Sequence, residues 1–96
     1  MRLDGKIAIV TGGGSGFGEG IVRKFVAEGA RVVIADRDAA GAARVAGSVG
    51  ERARAITADV TVDADVAAMV AAATQGFGGL HILVNNAGRW TAVSRP

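Results

Sequence analysis

The 96-residue sequence predicts an α/β fold, a doubly wound parallel sheet truncated after its fourth strand, with spatial order 3-2-1-4. Three observations carry that prediction. Short apolar runs at 7–10, 31–35, 54–58 and 80–84 alternate with longer segments of helical periodicity. Glycines crowd the stretch after the first run, and a second polar and glycine motif, Asn85-Asn86-Ala87-Gly88, follows the fourth. Each crossover is long enough to return the chain parallel and right-handed, so the winding reverses between the first and fourth strands, where such sheets bind ligands.

Ile7-Ala8-Ile9-Val10 is the pattern of a strand buried on both faces, and Thr11 ends it. From there on, Phe17, Ile21, Val22, Phe25 and Val26 trace one helix face, with Gly29 as a C-terminal stop. Gly12, Gly13, Gly14, Gly16 and Gly18 therefore lie between a strand's carboxyl end and a helix's amino end. Unpaired N–H groups and the helix dipole favour an anion there, and missing Cβ atoms let a diphosphate approach. A solvated glycine turn is the alternative reading of this stretch taken alone. The strict Gly-x-Gly-x-x-Gly pattern is not met, and Glu19 occupies the place of the Lys that an ATP-type loop requires.

Arg31-Val32-Val33-Ile34-Ala35 reads as the second strand, with Asp36 at its carboxyl end, 20 residues beyond Gly16. An acid at about that distance accepts hydrogen bonds from adenosine ribose hydroxyls and repels a 2′-phosphate, which favours NAD over NADP. Arg31 and Arg37 pull the other way, because a guanidinium binds phosphate. By itself Asp36 also fits a turn residue or a helix cap. Residues 38–50 hold a weaker helix, with Ala42, Val45, Ala46 and Val49 on one face and Gly41 and Gly47 interrupting it. Arg54 to Ala58 form the third strand, followed by Asp59-Val60. Thr61 is the expected N-cap of the next helix, Asp63 and Asp65 load its first turn, and Val62, Val66, Met69, Val70, Ala73 and Phe77 trace its face. Gly76, Gly78 and Gly79 stop it, and His81 reads as a polar residue at the start of the fourth strand.

Half of the residues are hydrophobic, so the chain is built to fold. Its 11 basic and 9 acidic residues give +2 and are scattered, which argues against a nucleic-acid surface. Cys is absent and His81 stands alone, so no metal site is expected. No apolar run approaches a bilayer span; no membrane contact and a cytoplasmic location are the default expectations.

Thr11-Gly12-x-x-x-Gly16-x-Gly18, Asp36, Asp59-Val60 and Asn85-Asn86-Ala87-Gly88, in that order, resemble the short-chain dehydrogenase/reductase family over nearly the whole chain. The resemblance implies a Rossmann-type NAD(P)-binding half-domain over residues 1–88, with an irregular tail over 89–96. It implies cofactor contacts from Gly12, Ser15, Gly16, Phe17 and Gly18 in the loop and from Asp36 and Arg37. Asp59 would meet the adenine amino group, Val60 would line the adenine site, and Asn86, Ala87 and Gly88 would contact ribose and stabilise the sheet. The Asn residues read equally as a backbone-bonding turn.

Members of that family interconvert alcohols and carbonyls with NAD(P), using a Ser, a Tyr and a Lys four residues after the Tyr, helped by an Asn, to handle the proton. This sequence has no Tyr, its Lys residues are Lys6 and Lys24, and it ends at Pro96, so no catalytic residue is assigned. The expectation is the cofactor-binding portion of an oxidoreductase that is a homo-oligomer when intact. The alternative is a non-catalytic nucleotide-binding or subunit-interacting remnant. The chain alone is expected to lack turnover, to leave the edge of residues 80–84 open, and to be unstable or to self-associate.

Overall fold

Residues Ile7 to Val10 carry apolar side chains without a break, and all four are buried, as a strand covered on both faces requires. The computed structural model describes residues 2–14 and 16–86, together with the backbone of 91–94. Strands β1 (Ile7–Thr11), β2 (Arg31–Asp36), β3 (Ala53–Thr57) and β4 (Ile82–Asn85) alternate with helices α1 (Gly16–Ala27), α2 (Ala39–Val49) and α3 (Asp63–Gly76). These four strands are parallel and lie in the order β3-β2-β1-β4, as the pattern of crossovers predicts.

The period-two alternation of a strand splits the core in two. Ala8 and Val10 join Val32, Ile34 and Val84 on one face, beneath Val22 of α1 and Ala42 and Val45 of α2. Ile7 and Ile9 join Val33 and Ala35 on the other, beneath Met69 and Ala73 of α3. Two helices therefore cover one face and one helix covers the other. Helices in such a wrap run opposite to the strands, so their amino ends gather at the strands' carboxyl ends.

The third strand begins one residue earlier than its apolar run and the fourth two residues later, and four further details differ from the sequence pattern. Phe17 belongs to the first turn of α1 but is 79% exposed, because that turn stands at the end of the sheet rather than over it. On α3 only Met69 and Ala73 are buried, while Val62, Val66 and Val70 are exposed, since a single helix presses only a narrow stripe onto a sheet. Thr61 does not cap α3. The N-cap is Val62, without a side-chain bond, because Thr61 spends both its N–H and its hydroxyl on the Asp59 carboxylate.

The fourth difference is the tail. Instead of being irregular throughout, it includes β5 (Thr91–Ser94), which runs antiparallel to β4 with Asn85 opposite Thr91 and Ile82 opposite Ser94. The backbone donors and acceptors along the outer side of β4 thereby find partners within the chain, and the open edge expected at 80–84 is closed. Thr91 and Val93 are β-branched, which suits them to that edge.

Candidate functional site

Thr11 ends β1 with its side chain buried, and its hydroxyl ties the carboxyl ends of β1 and β4 together. Oγ1 accepts the Asn86 N–H at 2.8 Å and lies 2.9 Å from Asn85 Oδ1 and 3.3 Å from the Val84 carbonyl. Asn86 Nδ2 in turn donates to the Gly12 carbonyl at 3.4 Å. The two motifs predicted to flank a crevice are thus joined by direct hydrogen bonds. Nothing in the sequence marked Thr11 for this task.

The glycine loop is shaped by close approaches that a Cβ would block. At Gly18 a Cβ would fall on the Gly12 carbonyl oxygen and 2.8 Å from Asn86 Nδ2, so the amino end of α1 can lie against the loop only without a side chain. At Gly14 a Cβ would stand 2.7 Å from Asp36 Oδ2 and 2.8 Å from the Ala42 nitrogen. The space is occupied instead by a hydrogen bond, Gly14 N–H to Asp36 Oδ2 at 2.9 Å. Asp36 Oδ1 accepts the Asp38 N–H at 2.9 Å, and Asp38 caps α2 by accepting from Gly41 N–H at 3.1 Å. Asp36 therefore joins the local role of a turn residue to a fixed carboxylate facing the cleft.

Glu19, which the sequence places where it would repel a phosphate, is answered by two guanidinium groups. Arg44 Nη2 lies 2.9 Å from Oε1 and Arg23 Nη2 lies 2.8 Å from Oε2. Arg44 first, then Arg23, holds the Glu19 carboxyl below the ordinary carboxylate range. Arg44 Nη2 also donates to the Gly14 carbonyl at 3.2 Å and so staples α2, α1 and the loop. An Arg on an exposed helix face carries no sequence signal for such a role. These ion pairs are solvent-exposed, and each contributes little stability on its own.

These elements enclose a cleft of about 380 Å³ at the carboxyl ends of the parallel strands, within the range of small-molecule sites. Of the residues singled out from sequence, Gly12, Gly16, Phe17, Asp36, Arg37, Val60 and Asn86 line it, joined by Thr11, Ala35 and Ala58. Gly18 supports the loop from behind. Asp59 does not line the cleft but pairs with a residue that does, its Oδ2 lying 3.8 Å from Arg37 Nε. Its carboxyl is held below the usual range by the Thr61 hydroxyl, the Thr61 N–H and, more weakly, Arg37. Ser15, Ala87 and Gly88 lie outside the described residues. His81 stays out of the cleft: its Nδ1 accepts the Ile7 N–H at 3.0 Å and its N–H donates to the Ile7 carbonyl at 2.8 Å, extending the β1 and β4 pairing.

The chemistry of this donor set fits a dinucleotide. The amino end of α1 and the loop offer N–H groups to a diphosphate. Asp36 offers acceptor oxygens at the end of β2, and Ala35, Ala58 and Val60 supply apolar walls. Among the described residues no cluster of His, Cys, Asp and Glu is grouped to hold a metal, and no helix is long and apolar enough to cross a membrane.

A family model described as short chain dehydrogenase matches residues 6–95. Galactitol 2-dehydrogenase of Agrobacterium fabrum is 48% identical over 87 residues, covering 91% of this chain and 34% of that protein. The crystal structure of 3-ketoacyl-(acyl-carrier-protein) reductase from Brucella melitensis, complexed with NADH, aligns with a TM-score of 0.83 at 56% identity, over 85% of this chain and 34% of that one. A short-chain dehydrogenase/reductase from Burkholderia phymatum in complex with NAD aligns with a TM-score of 0.81 at 36% identity, over 86% of this chain and 31% of that one. The chain spans about a third of the length of the curated relatives it matches.

Proposed function

The chain belongs to the short-chain dehydrogenase family, and from that premise we propose that it supplies the dinucleotide site of an oxidoreductase that interconverts an alcohol and a carbonyl, with NAD preferred over NADP. The observation that carries this reading is the convergence of the glycine loop, Asp36 and Asn86 on one cleft at the strands' carboxyl ends. The similar structures that hold NADH or NAD support it.

In this reading, N–H groups of Ser15, Gly16 and Phe17 at the amino end of α1 bind the diphosphate, while Gly12, whose own N–H goes to the Ala35 carbonyl at 2.7 Å, and Gly18, packed against it, shape the loop that receives it. Asp36, braced by Gly14 and Asp38, accepts from the adenosine ribose hydroxyls and repels a 2′-phosphate. Arg37, Asp59 and Val60 bound the adenine, with Asp59 accepting from its amino group. Asn86, Ala87 and Gly88 carry the second ribose. The bound dinucleotide supplies or takes up the hydride. The proton falls to a Ser, Tyr and Lys set that these 96 residues do not include, since Tyr is absent. The intact enzyme acts in the cytoplasm as a homo-oligomer.

Isothermal titration calorimetry of the chain with NADH and NADPH tests this. Saturable binding with NADH the tighter ligand is expected; tighter NADPH binding would overturn the cofactor preference, and absence of binding by both would overturn the site. In the same preparation no carbonyl-dependent NADH oxidation is expected, because loss of a positioned acid alone costs roughly 10²–10⁴-fold.

A further inference from the structure

One end of the cleft is lined by Asp36 and Arg37 at the end of β2 and by Ala58 and Val60 just beyond β3; Asp59, between those two, reaches the cleft through its pairing with Arg37. The two carboxylate oxygens of Asp59 have different partners. Oδ1 accepts the Thr61 N–H at 2.9 Å and the Thr61 hydroxyl at 2.7 Å. Oδ2 is left facing Arg37, 3.8 Å from Nε. The Asp59 N–H donates to Asp65 Oδ2 at 2.9 Å, which ties the same residue to the first turn of α3. Asp59 is therefore fixed through both backbone and side chain. Arg37, with its side chain 77% exposed, is the member of the pair free to choose its position.

A free guanidinium next to Asp36 would weaken that residue's discrimination, because it would offer a 2′-phosphate a counter-charge. We infer that Asp59 is a positioning residue for Arg37: it holds the guanidinium at the adenine side of the cleft and so sharpens the preference for a dinucleotide without a 2′-phosphate. This rests on the cofactor reading above. The anchor is a carboxylate already oriented by its own turn, so pairing orders only one long side chain. Exposed pairs of this kind bias an equilibrium modestly, by about two- to fivefold.

The test is the ratio of NADPH to NADH affinity, measured by calorimetry for the unaltered chain, Asp59→Asn, Arg37→Ala and the double variant. Adenine is common to both ligands, so any loss of an adenine contact at Asp59 cancels in the ratio. Asp59→Asn is expected to move the ratio about two- to fivefold toward NADPH, and the Arg37→Ala background is expected to abolish most of that shift. An unchanged ratio in Asp59→Asn overturns the inference while leaving the cofactor site intact. An equal shift in both backgrounds also overturns it, because loss of negative charge alone would then suffice. Failure of the unaltered chain to bind NADH would overturn the inference together with the reading beneath it.

Discussion

The two ends of the sheet are built from the same strands, yet among the described residues the carboxyl end alone joins a glycine loop to a helix amino end. At the carboxyl end, α1 begins beside the glycine loop, which is held by Asn86 donating to Thr11 and to the Gly12 carbonyl and by the Gly14 N–H donating to Asp36. At the amino end a smaller cleft, about 220 Å³, is lined by Asp4, Gly5, Gly29, Arg31 and Arg52. Its two Arg residues give it more formal positive charge than the other cleft. But Gly29 follows the carboxyl end of α1 and Gly50 that of α2, so helix carbonyls rather than N–H groups point that way, and Asp4 adds a carboxylate. The difference teaches that strand direction, through the helix ends it places, sets where backbone N–H groups gather, whatever the count of basic residues.

The largest expected effect breaks the carboxyl end directly. Gly18→Ala would set a Cβ against the Gly12 carbonyl and Asn86, an overpacking that costs about 1–3 kcal/mol. NADH affinity should fall by about tenfold or more, roughly 1.4 kcal/mol or above, while calorimetric melting still shows a cooperative transition. Unchanged affinity would mean that the loop does not touch the ligand.

Next in size is Asp36→Asn, which keeps an oxygen for the Gly14 N–H but removes the charge. The preference for NADH over NADPH should narrow by about tenfold. Fluorescence titration with each nucleotide reads this. Arg44→Ala should act less strongly, because the staple to Gly14 and Glu19 is exposed: a small lowering of the urea-melt midpoint and a weakening of NADH binding of about two- to fivefold are expected.

Acid should loosen both ends. The Glu19, Glu28 and Asp59 carboxyls are held below their ordinary values, chiefly by Arg44, by the Arg2 N–H and by the Thr61 hydroxyl respectively. A depressed folded value means stability that is fully present above the ordinary values of 4.5 and 3.8 and is lost as pH falls through the lowered ones. Melting temperature should therefore hold from neutrality down to about pH 5 and fall below about pH 4. The smallest expected effect is at the amino end: Arg31→Ala with Arg52→Ala should change NADH affinity by no more than about twofold, within the reach of long-range screening.

Much of this contrast was legible in the sequence. Buried parallel strands announce themselves as unbroken apolar runs, and Ile7 to Val10 and Val32 to Ala35 are as buried as their pattern implies. The glycines, Asp36 and Asn86 stood out because plain loops and helices do not require them in that order. What was not legible depends on partners distant in the chain. Thr11 joins residues more than 70 positions away, Arg44 reaches a carbonyl 30 positions back, and no local pattern encodes either contact. The capping preference at Thr61 yielded to a turn around Asp59, and Phe17, apolar at a helical spacing, faces the cleft mouth because its helix begins beyond the sheet. The strand at Thr91 to Ser94 escapes the sequence pattern even though a free edge at 80–84 is expected, because four residues are too short a run to declare a strand period of their own.

The central claim is one of place: the proposed dinucleotide site lies where the amino end of α1 meets the ends of β1, β2 and β4. Backbone amide chemical-shift mapping of the labelled chain during an NADH titration tests it most directly. The largest shifts are expected at Gly12, Gly16, Gly18, Asp36, Arg37, Val60 and Asn86, with Gly5, Arg31 and Arg52 silent. Saturable shifts centred on Gly5, Arg31 and Arg52, with the glycine loop unmoved, would contradict it.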